Sequence, residues 1–387
     1  MRILHVIATF APAWQFGGPV RSTFELCRAL RHRGHQVTVV TTQAGTPLAG
    51  RHCVVHEVLE GIDVLYCPAR STPFGIVSST MTSIVREQSV RHDVAHLTGV
   101  WQPTSRPVAE EFIRAGLPYL SSPRGALSPY SFSQGLLKKR LYYWAVERRI
   151  QRHAASIHVT APLEAREVER LRLGVPICEI PNICSSERWY PDPEAGARWR
   201  RRLGIEPSTF VITHVGRVQR KKNIEFLAKV ARALPTDRDW RFVLYGPVAG
   251  RDRGYLRWLQ SEFPGGRLIA NQGSSEESDV RGAYCGSDCV VMPSRHENFG
   301  NVAVEAALSG TPVVASDQVG AASLLQPLGA CVVVALAPGE WAHEIISLAD
   351  NPGHGRGGPG SRDSIARAAS MDQVGRAFDD CYREVAR

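Results

Sequence analysis

The chain has no Cys-x-x-Cys pair, and its nine cysteines stand apart at positions 27, 53, 67, 178, 184, 285, 289, 331 and 381. An odd, scattered set argues against a disulfide framework. Cys285 and Cys289 are one helical turn apart, but no His or third Cys completes a set of zinc ligands. The thiols are expected to be reduced and in the core, as in a reducing compartment. No stretch approaches the roughly 20 apolar residues of a membrane-spanning helix. The longest apolar run, A-C-V-V-V-A-L-A from Ala330, suits a buried strand. Residues 1–13 carry His5 within a short apolar run and lead straight into a strand–loop–helix–strand pattern, so they are read as fold and not as a signal peptide. There is no repeat at sequence level and no nucleic-acid-binding motif.

What is present is ordinary globular composition. At 387 residues, with 43% apolar and 21% charged, the chain is long enough for two domains or more, each with its own core. The net charge of +9 suits an anionic partner, whether nucleic acid, acidic lipid or a phosphorylated small molecule. Net charge alone does not choose among them.

The first forty residues read as a strand (R-I-L-H-V-I-A-T-F), a Gly/Pro loop (A-P-A-W-Q-F-G-G-P), a helix with Phe24, Cys27 and Leu30 at helical spacing, a stop at Gly34, and a second strand (Q-V-T-V-V-T-T). Continuous apolar strands alternating with helices predict a parallel sheet covered on both faces. The pattern resumes at D-V-A-H-L-T-G-V, P-Y-L-S-S-P and S-I-H-V-T. From Ile180 the stretch I-P-N-I-C-S-S-E-R-W-Y-P-D-P-E, rich in Pro, Ser and charge, reads as an interdomain linker. Strand–helix alternation then restarts at F-V-I-T-H-V-G and continues through R-F-V-L-Y-G, R-L-I-A-N-Q-G, D-C-V-V-M-P-S and T-P-V-V-A-S. A Gly-rich loop at 352–361 and an amphipathic segment close the chain. A cleft between two such halves is a usual place for a ligand.

Ligands of open α/β sheets sit outside the carboxyl ends of the strands. Two loops of the second half fit that position. After the strand ending at Gly216 come Arg217, Arg220, Lys221 and Lys222, followed by a helix. Cations beside a helix N-terminus oppose its dipole, and an anion bound there would reverse the effect. A solvated basic loop is the equal alternative. The second loop carries Glu297 and Gly300 and runs into a short helix, roughly Asn301 to Leu308, that is apolar or small on nearly every side except at Glu305. Gly300 permits close approach to the backbone. Carboxylates accept paired hydrogen bonds from neighbouring hydroxyls, which sugars supply. Cations for phosphates and carboxylates for hydroxyls together describe a nucleotide-sugar.

Nearly the whole chain resembles the retaining glycosyltransferases of the GT-B fold, family four, the group with an E-x7-E motif. The residues that carry the resemblance are E-N-F-G-N-V-A-V-E, V-G-R-V-Q-R-K-K-N and, less specifically, F-G-G-P, D-V-A-H, I-P-N and Y-C-G-S-D-C-V-V-M-P-S. The resemblance implies an α/β chain of two Rossmann-like, doubly wound domains facing a central cleft, with the C-terminal helix crossing back to the first. The bounds expected are 1–183 for the acceptor domain, 184–205 for a linker, 206–365 for the nucleotide-sugar domain and 366–387 for the last helix. It implies that Arg217 and Lys222 hold the donor diphosphate and that Glu305 binds the ribose. Glu297, with the backbone of Asn298, Phe299 and Gly300 ahead of Asn301, would bind the donor sugar. Gly17 and Gly18 would let the first loop close over it. An ordinary turn is the plainer reading of those two glycines.

One position departs from the family. Many relatives carry a histidine where this chain reads S-S-P-R-G-A-L, which puts Arg124 there. Arg124 can bind a phosphate or sugar oxygen but cannot act as a base. His96 is expected to be a satisfied core histidine. The D-R-D at 237–239 precedes a strand, so it is expected at the amino end of the sheet as a surface turn. The basic, aromatic segment from Lys138 to His153 admits two readings. It either lies on an anionic membrane or packs Leu141, Trp144 and Ala145 inward with a solvated basic face, and the second is favoured.

The expected activity is retaining hexosyl transfer from a nucleotide-sugar to a saccharide or lipid-linked acceptor, in cell-surface polysaccharide or glycoconjugate biosynthesis. No cofactor and no metal are expected, and no nucleic-acid partner. The location expected is cytoplasmic, peripheral at the inner face of the membrane where contact with anionic lipid is made. The rivals are a nucleotide-sugar epimerase of the same fold and a non-catalytic polyanion-binding protein.

Overall fold

A computed structural model describes residues 1–73, 75–248, 252–271 and 276–386. The chain divides into two compact units, Met1–Ile183 with Ser370–Arg387, and Cys184–Ala369.

The first unit contains β1 (Arg2–Ile7), β2 (Gln36–Thr42), β3 (Val55–Leu59), β4 (Ile62–Cys67), a small hairpin of β5 (Arg70–Thr72) and β6 (Gly75–Val77), β7 (Val94–Thr98), β8 (Tyr119–Ser122), β9 (Ser156–Val159) and β10 (Ile177–Glu179). Its main sheet runs β10-β9-β8-β7-β1-β2-β4-β3. Every pair is parallel except β3 with β4, an edge hairpin that the apolar pattern did not suggest. Its edge strand alternates partly exposed and exposed residues, too polar to stand out as a strand. β1 lies between β2 and β7, where the strand order reverses. Ile3, Leu30, Val37 and Phe378 fill one face of the sheet; Leu4, Val6, Val40 and Phe112 fill the other.

The last helix, Met371–Val385, belongs to this first unit, as the resemblance implied. Ser370 caps it, and Val374, Phe378, Cys381 and Tyr382 bury its apolar stripe against the helix Gly18–His32 and the sheet. Arg33 donates to Asp379 at 3.1 Å across that contact.

The second unit holds β11 (Phe210–Val215), β12 (Trp240–Tyr245), β13 (Leu268–Asn271), β14 (Cys289–Met292), β15 (Val313–Ala315) and β16 (Cys331–Val333), ordered β13-β12-β11-β14-β15-β16 and all parallel. This is the doubly wound dinucleotide-type order, with β11 at the switch point. The D-R-D stretch lies where expected. Phe210 N–H donates to the Asp239 carbonyl at 2.9 Å, so Asp239 stands at the amino ends of β11 and β12.

Two expectations change. Residues 184–205, read as a linker, contain a helix, Pro193–Arg202, capped by Asp192 accepting from Ala195 N–H at 2.9 Å. Its Trp199 is buried against Gly282 and Gly286, and Arg200 pairs with Asp288 at 2.6 Å, so the helix is part of the second unit. The capping Asp and the Pro at the helix start were legible, but the surrounding Pro and Ser obscured them.

The segment from Lys138 is also built differently. It runs through helix Leu136–Tyr142, a π turn at Tyr143–Glu147 and helix Arg148–His153. The inward packing expected of Leu141, Trp144 and Ala145 does not occur. All three face out, and Tyr143, Glu147 and Ile150 are buried instead. A π turn widens the helix by one residue. Here the residues it turns inward make specific contacts. Tyr143 packs edge-on against Phe132 at 5.4 Å, and Glu147 accepts the Trp101 N–H at 2.9 Å.

Candidate functional site

In the second unit, β11 ends against Gly216, whose N–H donates to the Tyr245 carbonyl at 2.9 Å. A Cβ on Gly246 would lie 2.3 Å from the Gly216 carbonyl oxygen, so glycine is required where the ends of β11 and β12 come together. Arg217 follows, exposed and with no ion pair among the described residues, while buried Val218 anchors the loop. Arg220–Lys222 form a 3-10 turn, Asn223 takes a left-handed conformation, and the helix Glu225–Ala233 begins after it. The cations thus stand on a separate turn ahead of the helix.

β14 is the neighbour of β11 in the sheet, with Ile212 opposite Cys289. The loop after β14 is therefore beside the basic turn. Lys222 Nζ donates to Glu297 Oε2 as a close ion pair, with both side chains mostly covered (16% and 18% exposed). Burial favours the neutral Glu297 carboxyl. Lys222 and then Lys221 overrule it and hold the acid below its ordinary value, ionised at neutral pH.

The Glu297 loop is held firmly by backbone bonds. Glu297 N–H donates to the Gln318 carbonyl at 2.8 Å, Gly320 N–H to the Glu297 carbonyl at 3.1 Å, and Ala321 N–H to the Phe299 carbonyl at 2.7 Å. The Phe299 side chain is buried, so this residue anchors the loop by packing, beside Asn298. Gly300 sits at φ +90°, where a Cβ would be 3.0–3.1 Å from Val319, Glu297 and Met292. Asn301 opens the helix Asn301–Leu308, which has no side-chain cap.

Glu305 is not an isolated carboxylate on this helix. The Tyr284 hydroxyl donates to its Oε2 at 2.7 Å, and buried Tyr284 packs edge-on against Trp189 at 5.5 Å. Tyr284 was a missed partner. Its only sequence signal was its place in Y-C-G-S-D-C, beside the approach to β14. His214, inside β11, was missed as well. Its Nδ1 lies 3.2 Å from the Val291 carbonyl, which can only accept, so Nδ1 carries the proton and Nε2 offers a lone pair. That Nε2 is buried and has no hydrogen-bond partner among the described residues. Burial, followed by the Lys222 charge, lowers the imidazole to about 4, so the ring is neutral at pH 7.

In the first unit, Gly17 at φ +86° caps the helix Gly18–His32. Gly18 has open space around it, so only Gly17 needs to be glycine for its conformation. Arg124 follows β8 at its carboxyl end, as expected, with φ +55°. Its Nη1 donates to Asn182 Oδ1 at 2.7 Å, and its buried Nε has no partner among the described residues. The I-P-N segment thus has a concrete role, since its Asn182 orients Arg124. Burial lowers the Arg124 guanidinium against the pull of Glu164 and Tyr382.

Beneath Arg124 lies a neutral network. His96 bonds the Tyr382 hydroxyl and Ser122 Oγ, both at 2.6 Å; Ser122 reaches His158 at 2.7 Å; and His5 reaches Thr98 at 2.9 Å. His96 is the satisfied core histidine that its strand position implied.

Two doubly wound parallel units, the second with Lys222 paired to Glu297 beside the carboxyl ends of β11 and β14, define the GT-B class of fold. The comparisons with known proteins agree. A family model described as "Glycosyl transferases group 1" matches residues 209–351, and a "Glycosyl transferase 4-like domain" matches residues 17–183. The chain belongs to this glycosyltransferase family. It is 30% identical over 184 residues to the D-inositol 3-phosphate glycosyltransferase of Pseudarthrobacter chlorophenolicus, a match spanning 46% of this chain and 42% of that protein. The match thus spans about two fifths of that relative's length. The enzyme of the same name from Xylanimonas cellulosilytica is 26% identical over 398 residues, covering 96% of this chain and 92% of the relative. Among solved structures, sucrose-phosphate synthase from Thermosynechococcus elongatus superposes with a TM-score of 0.76 at 18% identity, covering 99% of this chain and 98% of that one. HepE from Anabaena, solved with UDP and glucose, gives 0.74 at 19% identity over 98% and 99%. At these identities the structural likeness is one of fold.

Proposed function

We propose that the protein transfers a hexosyl unit from a nucleoside-diphosphate sugar to a hydroxyl of a saccharide or lipid-linked acceptor, with retention. The observation that carries this reading is the Lys222–Glu297 pair. In a nucleotide-sugar the diphosphate and the hexose are joined directly, so the groups that bind them must be neighbours. A diphosphate arriving at Lys222 would replace Glu297 as its counter-ion. Glu297 would then be free to accept hydroxyls of the sugar, with the backbone of residues 298–300 beside it. Exposed Arg217 is the second cation for the diphosphate. Glu305, its position set by Tyr284, takes the ribose hydroxyls. Arg124, whose buried Nε lacks a partner among the described residues, takes a phosphate or sugar oxygen.

In the reaction, the acceptor oxygen bonds to the anomeric carbon as the bond to the leaving phosphate breaks, and the acceptor proton passes to a phosphate oxygen. Negative charge grows on the diphosphate. Arg217 and Lys222 stabilise it from fixed positions, which is where most of the rate enhancement should arise without a metal. The names of the relatives support this reading. Several are glycosyltransferases that use a phosphorylated inositol, and HepE was solved with UDP and glucose, so UDP-sugars are the first donors to try. A cell-surface polysaccharide or glycoconjugate is the product class, made at the cytoplasmic side.

The test begins with thermal shifts in UDP-, GDP-, ADP- and TDP-sugars, where binding at 100 times Kd adds about 2.7 kcal/mol. Calorimetry with the matching nucleoside diphosphate then separates the carboxylates. Glu305→Gln should weaken diphosphate binding by about 1.5–3 kcal/mol, while Glu297→Gln should keep it and lose turnover. Turnover should survive EDTA. The reading fails if no donor stabilises the chain or is consumed in the presence of saccharide acceptors. Activity lost to EDTA and restored by Mg²⁺ would overturn the metal-free part.

A further inference from the structure

The segment 137–152 of the first unit presents an outward face that the catalytic reading does not use. Leu137, Leu141 and Trp144 are 82%, 72% and 66% exposed. They stand at i, i+4 and i+7, one stripe of a helix. Single exposed apolar residues are unremarkable, but an aligned stripe marks an interaction surface. Lys138, Arg140, Arg149 and Arg152 are exposed around it, and the Arg148 guanidinium lies over the Trp144 ring at 4.9 Å. The segment's one acidic residue, Glu147, is turned into the core on the Trp101 N–H. The π turn is what separates the two faces, since it directs Tyr143 and Glu147 inward and leaves Trp144 outside.

We infer that this face docks on an anionic lipid surface. Basic residues beside a stripe of Leu and Trp are the composition of helices that lie in the plane of a membrane interface, with the indole at headgroup level. A second copy of the chain is the wrong occupant. A two-fold contact would set the same cations against each other with no exposed carboxylate from the segment between them. The inference stands on this segment alone, whether or not the transferase reading holds.

The experiment is co-flotation of the full chain with phosphatidylcholine vesicles, with and without roughly a third phosphatidylglycerol. Binding is expected only to the anionic vesicles and should weaken as salt is raised. Replacing Lys138, Arg140 and Arg149 by Gln should lower the partition about five-fold per cation removed. The triple variant Leu137→Ser, Leu141→Ser, Trp144→Ser should stay folded and lose most of the bound fraction, because all three side chains are largely exposed and Trp144 meets the core only edge-on at Tyr143, 5.9 Å away. The inference is overturned if the wild type does not float with anionic vesicles, or if the triple variant floats as well as the wild type. It is equally overturned if the wild type self-associates in gel filtration, the triple variant is monomeric, and neither binds vesicles.

Discussion

The carboxyl ends of the two sheets place charge in similar positions and treat it in opposite ways. Past β9 of the first unit, Glu164 is 2% exposed and accepts from Gly125 N–H, Thr160 N–H and the Thr160 hydroxyl. Arg124 is tied to Asn182, and His5, His96 and His158 form a buried neutral network behind it. Past β14 of the second unit, Glu297 is partly open to solvent and its ion-pair partner is Lys222. A buried carboxylate held by three donors fixes a loop in place, and removing it leaves donors stranded. A half-covered ion pair can exchange one partner for a ligand. The first arrangement belongs to scaffold and the second to a binding site, although both are a carboxylate near a cation at the end of a parallel strand.

Acidification should separate the two units most strongly. Burial lowers His5 to about 3 and, with help from Lys222, His214 to about 4; His96 and His158 also lie well below the ordinary 6.5. Between 6.5 and those folded values the unfolded chain binds protons that the native chain refuses. Stability is therefore full above pH 6.5 and falls as the pH drops toward about 3–4. By about pH 5 His5 alone should cost the first unit roughly 2 kcal/mol and His214 should cost the second a similar amount, with His96 and His158 adding to the loss in the first. Amide exchange read on peptides of β1, β7 and β9 against β11 and β14 checks this. Equal loss of protection in both units would remove the contrast.

Substituting the two carboxylates tests the comparison directly. Glu164→Gln should lower the urea-unfolding free energy by about 3–5 kcal/mol, because an amide NH2 then faces N–H or O–H donors where a carboxylate oxygen accepted and the buried Arg124 charge loses its counter-charge. Glu297→Gln should cost no more than about 1 kcal/mol in stability, yet reduce donor turnover about ten- to a hundred-fold. If Glu297→Gln unfolds as readily as Glu164→Gln, the second carboxylate is scaffold too.

The smallest expected effect lies in the first loop. Gly17→Ala should destabilise by about 1–3 kcal/mol, since its backbone conformation is close to glycine-only territory. Gly18→Ala has room for its methyl group and should be neutral or up to about 1 kcal/mol stabilising. Melting curves of the two variants, side by side, decide whether the G-G pair is one constrained residue or two.

Much of this architecture was legible because apolar strands covered on both faces stand out as runs such as F-V-I-T-H-V and D-C-V-V-M. The bounds of the helix Asn301–Leu308 could be read directly, because Gly300 precedes it and Ser309–Gly310 follow. The carboxyl-end position of the basic loop, of Arg124 and of the Glu297 loop followed from chain order in a parallel sheet. The β3–β4 edge hairpin and the helix Pro193–Arg202 were harder. The first alternates too weakly to separate from a loop, and the second is only ten residues long in Pro-rich surroundings. Tyr284 and His214 were hidden inside elements that looked purely structural.

From the residues alone, the chain's alternating order determines two doubly wound units, places their charged loops at the strands' carboxyl ends and marks the last helix as amphipathic. Periodicity is a local property, and these are local consequences of it. Only the tertiary structure decided which charges meet. Lys222 and Glu297 are far apart in sequence and touch because β11 and β14 are adjacent strands. Glu305 is held by Tyr284 of the helix Glu277–Cys285, and Arg124 by Asn182, which follows β10 two strands away in the sheet. The tertiary structure also decided which side of the 137–152 segment faces water. A helical stripe of Leu141 and Trp144 looks the same in sequence whether it meets a core or solvent. The choice rests on Tyr143, Glu147 and Ile150, which find their partners on other elements of the fold.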